Sequence, residues 1–517
     1  MIEVMDAQQQ EPAAGSQRQP LPELLADSSS WTDEMLVEYG IPVQDSPVAT
    51  VGGGIGSYIM ADYLRVAGGV PTTGLKVVSN LGHPWQTYEH LATSSQISHG
   101  DRIRSDSASR PDNIWGFPSY ALQEAIRERT LAPLAHVFIE PVFDDYYTPR
   151  LGDMLRSIER EARRIRYWDM LIRGDVQLVR KRVGGGYFVL FTDQRPEESS
   201  PMALRVRDVH LAVGYPGLRF LPELQELREL KNDFHRVVNA YQNHEHVYQA
   251  LRRRGGTVLV RGGGIVASRV LERLILDRER YGQPTRIIHL LRNYVSGSHG
   301  PNRWARRRGR DGFAYQGFNY PKSVWGGQLK ARMAPLHGAA RVEVYDEIGG
   351  TTTAYRREWQ RQLRTARAEG WYHAVCGTIS ELRDDDATLT ARMKVEQGEF
   401  EVQPDFVIDC TGLNADVSGH QVLRDLLEHG GAQLNMLGRM DVKRSFELIG
   451  AESGVGRVYV TGAAALGGPF PGVDTFLGLQ IAAQEVVDDI ASRGYCRRLG
   501  PVKSTLEWLR WATGRQL

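Results

Sequence analysis

Two short runs of glycine are the residues in this chain best suited to chemistry. Gly52-Gly53-Gly54-Ile55-Gly56-Ser57 follows the apolar run Val48-Ala49-Thr50-Val51 and precedes an amphipathic stretch. Gly262-Gly263-Gly264-Ile265-Val266-Ala267 follows Thr257-Val258-Leu259-Val260 in the same way, with a helical pattern from Ser268. In the spacing G-x-G-x-x-G the first glycine makes a tight turn and the second lets a pyrophosphate reach the backbone. The third lets helix and strand pack closely, while the helix N-terminus offers free N–H groups and the positive end of its dipole. Gly52, Gly54 and Ser57 fill those places in the first run, with Gly56 beside them; Gly262, Gly264 and Ala267 fill them in the second. A small residue in the last place keeps the packing role. Two such runs, each between a strand and a helix, predict two dinucleotide sites; the alternative is a pair of structural turns that bind nothing.

The next strands bear on which dinucleotide each turn would take. The first leads to Val78-Ser79-Asn80-Leu81, without the acid that ordinarily holds an adenosine ribose, so Asn80 is the candidate neutral partner. The second ends at Arg292-Asn293, and a cation there suits the 2′-phosphate of NADP over the free hydroxyl of NAD. Arg303, Arg306, Arg307 and Arg308 lie just beyond, either as further charge for that phosphate or as a solvated basic loop.

The elements that must hold these turns read as an α/β protein. Besides the two strand–turn–helix units and their following strands at 75–78 and 286–291, apolar strands are predicted at 209–213, 406–410 and 458–462. A long helical pattern covers 476–491, and a small amphipathic helix is expected within 503–517. Residues 1–45 read as a mobile arm, with Gln8-Gln9-Gln10 and Ser28-Ser29-Ser30 low in complexity and a short helix near Trp31 capped by Ser30 or Thr32. At 517 residues, 41% hydrophobic and 24% charged, the chain has the make-up of a globular protein of two or three domains. A net charge of +1 gives no global field for nucleic acid or an acidic membrane. Three scattered cysteines encode neither a redox dithiol nor a zinc site, so no metal is expected, and they fit a reducing compartment. No apolar run approaches the ~18–20 residues needed to span a bilayer, and no secretory profile opens the chain, so a cytoplasmic protein is the expectation.

The order of these signals resembles the two-dinucleotide flavoprotein monooxygenases: the flavin-containing, Baeyer–Villiger and N-hydroxylating enzymes. The first turn looks like their FAD site. Ala212-Val213-Gly214-Tyr215-Pro216 resembles their crossover from the FAD to the NADPH domain, and Asp409-Cys410-Thr411-Gly412-Leu413 their return crossover. Phe234-His235-Arg236-Val237-Val238-Asn239-Ala240-Tyr241 resembles the segment preceding their second turn. The resemblance covers about 46–490 and implies two Rossmann-like domains, the NAD(P) domain inserted in the FAD domain. The corresponding boundaries are 1–45 for the arm, 46–215 and 401–495 for the FAD-binding domain, 216–400 for the NAD(P)-binding insertion, and 496–517 for a helical tail. It implies FAD and NADPH as cofactors, O2 and a small-molecule substrate as partners, and oxygen transfer through a flavin C4a-(hydro)peroxide to nitrogen, sulfur or a carbonyl neighbour. A flavin dehydrogenase or oxidase, and a non-catalytic dinucleotide-binding regulator, remain alternatives. No nucleic acid or membrane partner is expected, and a homo-oligomer is the commonest arrangement for such a protein.

Against that family the chain has its own features. Thr461-Gly462 is followed by Ala463-Ala464-Ala465 where an aspartate is usual, so Gly462 and the later Asp474 are the candidates for the flavin, with 467–476 along the ring and a helix N-terminus near Thr475. Arg104 opens a segment running to Pro118 that replaces the familiar flavin-contact sequence; it is a candidate for a flavin phosphate or carbonyl, or else an ordinary ion pair. Trp85 is a candidate to stack near the ring or to fill the core, and His235 to orient the nicotinamide or to serve structure. His83 and His99 read as loop residues, and Cys410 as packing. Tyr146, Tyr147, Trp304, Trp325, Phe470 and residues 319–322 are candidate substrate liners.

Overall fold

The strand that leads into the first glycine turn, Val43–Val51 (β1), is buried at its last four residues in succession, as a strand covered on both faces must be. It lies at the centre of a parallel array in the computed structural model, which describes residues 23–103, 110–115, 119–139, 147–194, 200–298, 308–315, 328–348, 352–385 and 388–517. Leu75–Ser79 (β2), Leu171–Arg182 (β3), Tyr187–Asp193 (β4) and Ser200–Leu211 (β5) join it, and Val458–Val460 arrives from far downstream. The parallel order is β3, β2, β1, β5 and then 458–460. β4 pairs antiparallel with both β3 and β5, so the pairing runs round in a closed ring. Register sets Val51 beside Val78 and Leu211, and Leu211 beside Val460. The glycine turn, Ser79, Ala212 and Thr461 therefore all leave the same edge of the sheet. The helix after the turn, Ile55–Val66 (α1), is buried round most of its circumference between the sheet and Phe476–Ser492.

The second sheet repeats the plan. Its strands are Val237–Asn239 (β6), Gly256–Arg261 (β7), Thr285–Leu291 (β8), Tyr372–Asp385 (β9), Thr388–Val395 (β10), Gly398–Val402 (β11) and Phe406–Asp409 (β12). The order is β11, β10, β9, β8, β7, β12, β6, parallel except for the β9–β10–β11 meander. The helix Ile265–Tyr281 (α2) follows its glycine turn, and the last elements of the first domain are Val458–Val460 (β13) and Phe476–Ser492 (α3). The chain leaves the first sheet after β5 and returns after β12, so the second domain is inserted in the first, and the fold is the expected pair of Rossmann-like units. The boundary expected at 400/401 falls inside the second sheet: all four residues of β12 are buried between β7 and β6, and the return begins only beyond Asp409.

Both ends of the chain are tied down more than their composition indicates. Of the arm expected over 1–45, residues 23–45 are built into the first domain: Ser30–Trp31 pairs with Lys181 and Arg182. Trp31 is fully buried with Leu25, Leu36, Ile41 and Phe188, and its indole N–H donates to the Leu25 carbonyl. Burial of that one aromatic outweighs the polarity around it. Thr32 caps helix Asp33–Glu38. At the other end, helix Pro501–Ala512 has no buried residue but is held by Trp511 Nε1 donating to the Asp112 carbonyl and by Trp115 Nε1 donating to Ser504 Oγ. No described helix is long and apolar enough to cross a membrane.

Candidate active site

The two turns have the geometry that their chemistry requires. Gly52 has φ +99°, and a Cβ there would lie 2.4 Å from the Ala212 carbonyl oxygen, so only glycine fits. Gly262 has φ +137°, and its Cβ would lie 2.7 Å from the Cys410 carbonyl oxygen. In each case the first glycine is pressed against the chain just as it departs for the other domain. Gly54 caps α1 without a side-chain bond to the helix N–H groups, and a Cβ there would meet nothing within 4 Å. Gly264 caps α2 in the same way. Ser57 and Ala267 are fully buried, and Ser57 Oγ donates to the Val51 carbonyl at 3.3 Å. Gly56 packs against Ala212. Unmet N–H groups at a helix start, with open space before Gly54, fit a phosphate pair.

At the outer end of the first turn, Asn80 is exposed and its carbonyl accepts from Arg173 Nη2 at 2.9 Å. Ser79 Oγ is already committed to the Leu81 N–H. Trp85 stands on the following loop, half-buried in an aromatic group with His83 and Trp168, whose ring centroids lie 4.9 and 6.4 Å away. At the second turn, Arg292 is exposed at the end of β8. Beneath it Arg261 is buried, donating to the Leu290 carbonyl, and burial lowers its pKa. Two guanidinium groups, one exposed and one buried, thus lie close enough to repel each other at the end of β8. Arg104, Arg303, Arg306, Arg307, Tyr146, Trp304, Trp325 and residues 319–322 lie outside the described residues.

Between the turns the structure assembles a group the sequence indicated only in part. Tyr215 stands on the outgoing crossover, and its hydroxyl donates to Asp474 at 2.8 Å. Asp474 precedes α3, whose cap Thr475 accepts the Gly478 N–H. Phe476, the first residue of α3, lies 5.1 Å from the ring of Tyr88. Tyr241, just past β6, is close enough to both Tyr88 and Tyr215 to raise their phenols further. Burial is the main cause for all three, and takes Tyr241 to about 12. The nearby loop is fixed by Tyr345, which donates to the Phe470 carbonyl at 2.8 Å, and by Phe470 stacked on Phe446. Gly462 leaves β13 at the same edge.

Asp474, Tyr215 and Tyr241 lie in segments the sequence singles out, Tyr241 without a role of its own; Tyr88 and Tyr345 do not stand out. Tyr241 was legible in principle, since it follows directly on a short strand leaving the same edge as the second turn. His235 is not brought to this group. It precedes β6, at the N-terminal edge of the sheet, and packs edge-on against His246 in an exposed position. The segment after 104–109 re-enters at Arg110, pinned to α3 by Gln480 and paired with Asp112 in a fully buried ion pair.

No model of a known family and no curated protein matches this sequence. Solved structures do match. An ornithine N-hydroxylase from Kutzneria sp. 744 aligns over 87% of this chain and 100% of its own, with a TM-score of 0.63 at 13% identity. A cadaverine monooxygenase of desferrioxamine biosynthesis from Erwinia amylovora, solved with FAD, aligns over 88% and 96%, with a TM-score of 0.62 at 13% identity. An L-lysine 6-monooxygenase from Pseudomonas syringae aligns over 86% and 99%, with a TM-score of 0.59 at 13% identity. The chain therefore shares its fold with these flavin-dependent monooxygenases over most of its length. At this identity the likeness is one of fold, and the chemistry rests on the site.

Proposed function

We propose that this protein is an FAD-dependent monooxygenase that uses NADPH and O2 to hydroxylate a small amine. The observation that carries the reading is the pairing of two glycine turns at helix starts, each packed through its first glycine against a crossover carbonyl, with open space at Gly54 of the first and an aromatic and carboxylate group on the crossover side. The α1 N-terminus with Gly52, Gly54, Gly56 and Ser57 would hold the FAD pyrophosphate, and Asn80 and Arg173 border its adenosine. The α2 N-terminus with Gly262, Gly264 and Ala267 would hold NADPH, and Arg292 its 2′-phosphate. Bound flavin supplies the redox chemistry: it accepts a hydride from the nicotinamide and activates oxygen.

The chain's own residues supply position and an apolar lining. Tyr88, Tyr215, Tyr241 and Phe476 would line the approach to the bound flavin with apolar ring surface. Asp474 is the exposed carboxylate of the group, placed to receive an ammonium head, and the Tyr215 hydroxyl holds it in orientation. A carboxylate favours the charged form of an amine held against it, so the reacting nitrogen, which must lose its proton to become a nucleophile, would be the one held away from Asp474 among the neutral phenols. The solved neighbours act on ornithine, cadaverine and lysine, which sets the first substrates to try. A cytoplasmic location belongs to the same reading and rests on the scarcity of cysteine.

The test begins with FAD. Titrating purified protein with FAD should give a quenched, saturable flavin signal, NADPH should bleach it without air, and readmitted O2 with an amine should yield a hydroxylamine. No saturable FAD uptake would sink the reading. Bleaching by NADPH without oxygenated product from any amine would favour the dehydrogenase instead.

A further inference from the structure

His289 lies within β8 with no exposed surface, level with Val260 and so below the second glycine turn. Its Nε2 is 2.6 Å from the Gly262 carbonyl oxygen, and its Nδ1 is 2.9 Å from the Tyr372 hydroxyl. A carbonyl can only accept, so Nε2 carries the hydrogen and donates it. Nδ1 is then the acceptor, and the Tyr372 O–H the donor. Phe313 stacks on the ring, with centroids 5.3 Å apart and planes 24° from parallel. Burial brings the ring pKa down to about 4, so the imidazole stays neutral in this tautomer at physiological pH.

The bond has a stereochemical consequence. In a trans peptide the carbonyl and the next N–H point in opposite directions. His289 draws the Gly262 carbonyl back toward the sheet, so the Gly263 N–H must point out over the edge where α2 begins. Among the described residues that N–H meets no acceptor. Among the described residues the first turn has no such clamp: its buried histidine, His210, bonds Thr50 and Thr461 and not the Gly52 carbonyl.

We propose that His289 is a positioning residue for the second dinucleotide, holding the Gly262–Gly263 peptide so that an unmet N–H faces the pyrophosphate. The inference rests on the reading of this turn as the NADPH site. Tyr372 fixes the tautomer, Phe313 fixes the ring plane, and the effect is confined to the half of the nucleotide that crosses the turn.

The experiment measures binding rather than turnover, on the FAD-loaded protein, with NADP+ and 2′-AMP as probes. 2′-AMP carries the phosphate that Arg292 faces but has no pyrophosphate. His289→Leu should weaken NADP+ by about tenfold, the worth of one well-placed hydrogen bond, while 2′-AMP affinity and FAD uptake stay as in the wild type. His289→Gln, whose amide reaches the same carbonyl, should restore NADP+ to within about threefold. His289→Phe keeps the stack on Phe313 and serves in place of leucine if that variant does not fold. Unchanged NADP+ affinity in the leucine or phenylalanine variant overturns the proposal. So does an equal loss of NADP+ and 2′-AMP, or a glutamine variant as weak as leucine. Wild-type protein that binds neither probe would instead defeat the reading of the turn itself.

Discussion

Gly52 and Gly54 stand two residues apart in one turn, yet the structure assigns them opposite consequences on substitution. At Gly52 an alanine would have to hold φ +99° and place its Cβ 2.4 Å from the Ala212 carbonyl oxygen. The backbone strain costs about 1–3 kcal/mol and the forced contact about as much again, because Ala212, just past β5, is held by its N–H donating to the Val51 carbonyl and cannot easily step aside. At roughly 2–4 °C per kcal/mol for domains of this size, Gly52→Ala should lower the melting temperature of the apoprotein by about 5–20 °C. At Gly54 the backbone is extended and a Cβ would enter open space, so Gly54→Val loses only the mild capping preference, about 1 kcal/mol and a few degrees. That open space is the approach to the α1 N-terminus. A valine there should cost at least two charge-assisted bonds to the pyrophosphate, each worth about 1.5–3 kcal/mol, and weaken FAD on the order of 100-fold or more. Calorimetry on the apoproteins and a fluorescence titration with FAD read the two effects separately. Wild-type FAD affinity in Gly54→Val would refute the placement of the ligand, and an unchanged melting temperature in Gly52→Ala would refute the packing argument.

Arg292→Ala should cut the preference for NADPH over NADH by about 10–100-fold through loss of a phosphate contact, and equal effects on the two coenzymes would count against the 2′-phosphate site. His210, fully buried between Thr50 and Thr461, has its pKa lowered by burial to about 3. The unfolded chain thus binds the extra proton first, and this stability is present above pH 6.5 and lost as pH falls toward the folded value. Between pH 6.5 and 5 the loss is about 2 kcal/mol, so wild-type stability should fall that much more steeply than that of His210→Leu; parallel pH profiles would refute it. Tyr215→Phe and Asp474→Asn should each destabilise by about 1–2 kcal/mol but not additively, and a double-mutant cycle with no coupling would remove the bridge between crossover and α3.

What the sequence made legible follows physical range. The glycine turns were readable because phosphate binding demands glycine at fixed, local spacing, and the strands beside them because parallel strands are apolar on both faces. The short helix near Trp31 with its Thr32 cap is local and legible, but the anchoring of this segment is not, because the partners of Trp31, Phe188 among them, lie far along the chain, and its neighbours are polar. β12 was assigned to the wrong side of the return because a buried strand reads alike in either sheet, and pairing with β6 and β7 is not a local property. His235 drew notice through a motif whose strand direction places it at the far edge. Tyr88 looks like an ordinary aromatic and Tyr241 like the end of a motif, and only the meeting of helix Gln86–Ser94, the chain after β6 and α3 brings their rings near each other and Phe476.

The paired contacts of Gly52 with Ala212 and of Gly262 with Cys410 also explain why the two turns and the two crossovers occur together. Each crossover starts at the strand beside its turn, so the peptide that fills the space above the first glycine is the same peptide that carries the chain to the other domain. Asp409 ties the two passages further, accepting from the Leu221 N–H on the outgoing chain and from the Thr411 N–H on the returning one, while Leu218 pairs antiparallel with Leu413 and Gly217 with Asn414. A shift of one domain relative to the other therefore bears first on the carbonyls against which both cradles are packed. The cost of keeping glycine at these positions is thus set by the insertion of one domain into the other as much as by the nucleotide. The same reasoning places the asymmetry of the site at its second turn, where His289 adds a clamp below the glycine that the first turn does without.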